Sequence, residues 1–117
     1  MSLHDDILSM DDLEAREVVV KQWGNKKIVV KSLTAAQRYE MIEQCMSVRG
    51  NKIDGKKLYI FTLIACAYDP ETSAPIFTPA DYDKLAGKNS GAIETIIQVA
   101  NELNGIGEAQ VVEMEKN

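Results

Sequence analysis

Between Leu58 and Tyr68 the chain reads LYIFTLIACAY, eleven residues without a charge. No other stretch restricts the fold so strongly, because a segment with no polar face must be covered on nearly all sides. It is too short for a membrane span, which needs about 20 apolar residues. Periodicity alone does not separate a buried strand from a buried helix here. Length and composition do: Lys56 to Tyr68 is long for a strand, whose usual length is about five or six residues. Ala65, Cys66 and Ala67 suit a close helix crossing better than a pleated ladder, where Ala is depleted. The segment is therefore read as a central core helix.

The rest of the chain can supply its cover. With 117 residues, 45% hydrophobic and 26% charged, it has the size and composition of one globular domain able to bury a core without metal or disulfides. The formal net charge of -5 argues against a nucleic-acid partner held by phosphate contacts. Cys45 and Cys66 have no Cys or His neighbour at ligand spacing and read as buried free thiols in a reducing compartment. The N-terminus MSLHDDILSMDDLEAR is acidic where an export signal would be basic and apolar, so no export signal is expected.

Along the chain, residues 1–16 form an acidic stretch with scattered apolar points. They read either as a flexible tail or as a short amphipathic segment that docks on something. EVVVKQWGNKKIVVKSL follows, two β-branched runs flanking Gly24-Asn25, a dipeptide suited to positive φ. A β-hairpin is expected, with the loop at Gly24-Asn25 or at Asn25-Lys26, so that Trp23 pairs with Lys26 or with Ile28. Thr34 and Gln37 have capping-box spacing. They open a helix with Tyr39, Ile42, Cys45 and Met46 on one face, ending near Val48 before Gly50.

After the central helix, Asp69-Pro70 makes a turn. Thr78-Pro79-Ala80-Asp81 starts a short helix that stops at Gly87. A last helix begins near Ser90 with Ile93, Ile96, Ile97, Ala100 and Leu103 on one stripe and ends at Asn104-Gly105. The expected fold class is α+β, an N-terminal β-hairpin packed with three main helices and one short helix. Residues 17–106 form the domain, between flexible tails at 1–16 and 107–117.

Candidate chemistry is sparse. His4 with Asp5 and Asp6 is a poor metal site, because a metal needs more ligands than one short tripeptide offers; no metal, cofactor or catalytic residue is expected. Cys45, Cys66 and Ser90 have no histidine base in the folded part. Lys21, Lys26, Lys27 and Lys31 could meet phosphates, but lysines more often protect a sheet edge. Trp23 reads as a core anchor rather than a base-stacking platform.

The order WGNKKIVVKSLTAAQR, then LYIFTLIACAYDPETSAPIFTPADYDKLAGKNSGAIETIIQVANELNG, resembles the tail assembly chaperones of long-tailed bacteriophages and related prophages. The features are a hairpin with an aromatic, the Leu33-Thr34 helix start, and the buried helix running into Asp69-Pro70 and Ile76-Phe77. A short Asp/Leu helix and a last helix ending in Leu103-Asn104-Gly105 complete it. The resemblance covers roughly residues 18 to 105, and Ser73 departs from it where Gly would be common.

The resemblance implies a non-enzymatic protein of the host bacterial cytoplasm. Such a protein binds the long, largely helical phage tape measure protein, keeps it soluble, helps tail tube protein assemble around it, and is absent from the virion. This chain looks like the short form of a pair whose longer partner arises by frameshift, and a homo-oligomer is compatible with it. Neither nucleic acid nor membrane is an expected partner. Ile7, Leu8, Val111, Val112 and Met114 are the expected partner-binding residues, as apolar points of the two tails. The competing readings are a minor structural or connector protein of the tail and a small regulatory protein that binds a host target.

Overall fold

The protein is described from a computed structural model covering residues 2–46 and 52–105. The fold class is α+β, with a three-stranded antiparallel sheet in the order β1-β2-β3. The strands are β1 (Ala15–Val20), β2 (Lys26–Lys31) and β3 (Ala67–Tyr68). The helices are α1 (Leu3–Ser9), α2 (Ala35–Gln44), α3 (Gly55–Cys66), α4 (Tyr82–Ala86) and α5 (Ser90–Leu103). A turn of 3-10 helix at Pro79–Asp81 leads into α4.

The uncharged segment is the centre of the molecule. Asp54 Oδ1 accepts the Lys57 N–H at 3.2 Å and caps α3, which then buries Leu58, Ile60, Thr62, Leu63, Ile64 and Cys66. Its buried hydroxyl, on Thr62, donates back to the Leu58 carbonyl at 2.6 Å, so the polar group is satisfied. The segment does not remain helical to its end. Ala67 and Tyr68 extend and pair with β2, Ala67 opposite Val30 and Tyr68 opposite Val29, turning the expected hairpin into a three-stranded sheet.

Alternation puts Val18 and Val20 of β1 and Ile28 and Val30 of β2 on the core face. Ile93, Ile96, Ile97 and Ala100 of α5 and Ile60, Leu63 and Ile64 of α3 share that core, with Leu85 of α4. Asn89 Oδ1 caps α5 through the Ala92 N–H at 3.1 Å. The core therefore lies between one sheet face and two helices, and α2 is attached beside it through Met41, Cys45 and Leu58.

The hairpin register differs from both expected alternatives. Val18 pairs with Ile28 and Val20 with Lys26, and a 3-10 turn at Lys21–Trp23 lengthens the loop. Gly24 (φ 69°) and Asn25 (φ 59°) do take the left-handed conformation. Both expected registers would have set Lys31 beside Val18 or Val20 on the core face. They would also have turned Ile28 and Val30 to the face opposite Val18 and Val20, whereas the observed register brings all four to the core and leaves Lys26 exposed at the strand end beside Val20.

Two further expectations change. α2 carries the predicted capping box, Thr34 Oγ1 accepting from Gln37 N–H at 3.1 Å and Gln37 Oε1 accepting from Thr34 N–H at 3.0 Å. It ends at Gln44 rather than near Val48, because Met46 already bridges to Ile53 and the Cys45 carbonyl accepts the Asp54 N–H at 2.7 Å. Its inward side chains are Met41 and Cys45, while Tyr39 is 66% exposed. The stretch 1–16, expected as a tail, contains α1, capped by Ser2 Oγ on the Asp5 N–H, and gives Ala15 and Arg16 to β1. The expected tail at 107–117 lies outside the described residues.

Candidate functional site

Chemistry of the nucleophilic kind is disfavoured by the surroundings of the candidate groups. Cys45 and Cys66 are free and fully buried. Burial, with Asp54 adding to it at Cys45, raises each thiol from 9.0 to about 11. A thiolate at neutral pH is thereby suppressed rather than prepared. Burial also raises Tyr59, helped by its hydrogen bond to Glu94 Oε2 at 2.6 Å. His4 lies on exposed α1, its Nδ1 at 3.0 Å from Asp5 Oδ1. Among the described residues no group of three or more His, Cys, Asp or Glu side chains could hold a metal ion, and no helix is long and apolar enough to cross a membrane.

The four lysines do not form one stripe. Lys31 stands over the Tyr68 ring at 4.5 Å from its centroid, a cation–π contact, and Lys27 Nζ reaches Glu17 Oε1 at 3.9 Å. Lys26 and Lys27 also line one wall of a groove.

That groove, of about 810 Å³, runs between the start of β2 and the segment 69–77. Its apolar lining is Trp23, Ile28, Ile76 and Phe77, with Asp69, Pro70 and Glu71 on the wall facing the lysines. Trp23 packs against the core as a half-buried anchor and at the same time borders the groove. Phe77 also lines a second hollow of about 240 Å³ over α2 and α3, so the two hollows meet at one aromatic ring.

The groove arises from the sequence in a direct way. β2 and β3 pair at Val29–Tyr68, and the next residues in register would be Ile28 opposite Asp69 and Lys27 opposite Pro70. Pro70 has no N–H to continue a ladder. Asp69 Oδ1 instead accepts the N–H groups of Glu71 at 2.8 Å and Thr72 at 3.3 Å, turning the chain away. It returns through Ser73 at φ 62°, and Tyr68 bridges to Pro75. The sheet is split open there, and the split is the groove.

A second exposed apolar surface is the N-terminal arm. Of the expected partner-binding residues, Ile7 and Leu8 lie together on α1, 54% and 72% exposed, near exposed Leu3 and Met10. No residue of α1 is buried. Val111, Val112 and Met114 lie outside the described residues. The groove was missed by reading the sequence, since its two walls are some forty residues apart; the Asp69-Pro70 turn was the one local sign.

No protein-family model matches the chain, and no curated protein sequence matches it. Among solved structures, the bacteriophage HK97 tail assembly chaperone superimposes with a TM-score of 0.55 at 16% sequence identity. The match covers 88% of this chain and 100% of that one. The two chains share a fold.

Proposed function

We propose that this chain is a tail assembly chaperone of a long-tailed bacteriophage or prophage, acting by binding rather than by catalysis. In this reading it binds the phage tape measure protein in the host cytoplasm, keeps it soluble, promotes assembly of the tail tube around it, and leaves before the particle is complete. The observation that carries the reading is the shared fold with the HK97 tail assembly chaperone over the whole of that chain. The ordered motifs from Trp23 to Gly105 give independent support. Both kinds of exposed apolar surface, the groove and the α1 arm, suit a protein that covers another chain.

The test is co-expression with the tape measure protein of the phage or prophage that encodes this chain. The expected result is that this partner moves from the insoluble to the soluble fraction and co-purifies, while purified virions lack the chain. A well-expressed partner that stays insoluble and unbound would overturn the reading. Detection of the chain in stoichiometric amount in purified virions would replace it with a structural tail component.

A further inference from the structure

We propose that the split in the sheet between β2 and residues 69–77 docks an amphipathic helix of the partner. The helix sets its apolar stripe against Trp23, Ile76 and Phe77, with acidic side chains toward Lys26 and basic ones toward Asp69 and Glu71. The inference rests on the role proposed above and adds the surface that performs it.

Backbone geometry decides between a helix and an added strand. The Ser32 N–H donates to the Glu14 carbonyl at 2.8 Å, so the even-numbered residues of β2 bond toward β1 and the odd-numbered ones toward β3. Val29 spends its outward groups on Tyr68. On the β2 side of the split, only Lys27 presents an N–H and a carbonyl to an incoming chain. One residue of ladder is too little to hold a strand against the entropy of ordering it. The apolar side chains offer more: Ile76 is 38% exposed beside half-buried Trp23 and Phe77. A side chain projecting from a helix can enter between them without any backbone pairing.

Charge sets the rest of the occupant's chemistry. One wall carries Lys26 and Lys27 and the other Asp69 and Glu71, and among the described residues no ion pair crosses between the walls. A partner of one sign would be attracted by one wall and repelled by the other. An apolar stripe flanked by acids on one side and bases on the other is attracted by both, and a helix produces that pattern from side chains three and four residues apart.

Trp23 is the one tryptophan of the chain and reports on the groove directly. The full chain would be titrated with tryptophan-free synthetic peptides of about 20 residues, roughly 30 Å of helix, tiling the helical partner. The expected result is that peptides with the two-signed pattern shift Trp23 emission to shorter wavelength and shield it from iodide. Ile76→Asp should weaken that binding about tenfold, since it places a charge in the apolar centre. Lys26→Glu should weaken it less, with a difference that shrinks as salt rises from roughly 50 to 500 mM. Thermal melts of both variants verify that they fold.

A peptide that binds by calorimetry while Trp23 emission and quenching stay unchanged would overturn the groove and leave the chaperone role standing. So would equal co-purification of the full-length partner with wild type and folded Ile76→Asp. If neither peptides nor full-length partner bind the wild-type chain, the role falls and the groove with it.

Discussion

Ser73 has a φ of 62°, a conformation that costs a residue with a Cβ roughly 1–2 kcal/mol. The resemblance to the tail assembly chaperones implies a Gly at this position, and the backbone supplies the reason: the turn leaving Asp69 must return to pair Tyr68 with Pro75. Ser73→Gly should therefore stabilise the protein. Gly also gains about 0.4–1 kcal/mol of unfolded-state entropy, so the net gain should be about 0.5 kcal/mol in urea unfolding. An unchanged or lower midpoint would mean that the turn is not held as described. The thiols make a prediction of opposite sign with pH. Burial raises both above their unfolded value of 9.0 to about 11, so the unfolded chain loses its thiol protons first. Their stabilising contribution is complete below pH 9 and is lost as pH rises toward 11. Urea midpoints of wild type should fall in that window, and a Cys45→Ala, Cys66→Ala double variant should show a shallower fall.

Among the elements, α2 is where sequence reading went furthest from the structure. Its start was legible because capping is local: Thr34 and Gln37 need only each other and the backbone. Its face was legible only in part. α2 touches the rest of the protein through a narrow strip, and Met41 and Cys45 meet Leu58 there, whereas the spacing had grouped Cys45 with Tyr39, which is exposed, and left Met41 out. Met41→Ala should cost about 2 kcal/mol or more, and Tyr39→Ala less than about 0.5 kcal/mol, both read from denaturant midpoints. The reverse order would place the other face inward.

α5 was legible throughout, because it lies across a sheet face and a helix and must be apolar along a full stripe. Its terminal Asn104, singled out only as part of a motif, proves to tie three places together. Its side chain accepts the Leu33 N–H at 2.7 Å, donates to the Ala100 carbonyl at 2.8 Å, and approaches Cys66 Sγ at 3.8 Å. Such long-range partners leave no mark in local spacing, and the same is true of the hairpin register, which depends on which face α5 covers.

At the scale of the molecule, the core explains everything except two features, the split sheet and the N-terminal arm, and the arm is the easier to separate from stability. α1 has seven residues and buries none of them. An isolated helix shorter than about 12–15 residues is marginal in water, so α1 adds little to folding and keeps Leu3, Ile7 and Leu8 at the surface. Glu14 is the nearest place where this end is tied down, its carbonyl accepting the Ser32 N–H at 2.8 Å and its N–H donating to Ser32 Oγ at 2.9 Å, and Arg16 follows through Nη1 to Glu102 Oε2 at 2.6 Å. Removing residues 2–10 should then shift the thermal midpoint by less than about 2 °C, because 1 kcal/mol corresponds to roughly 4 °C in a domain of this size. Removing residues 2–16 as well as their pairing to β2 and α5 should lower it clearly. Equal losses for both truncations would show that α1 packs on the domain, and the exposed Ile7 and Leu8 would no longer be open to a partner.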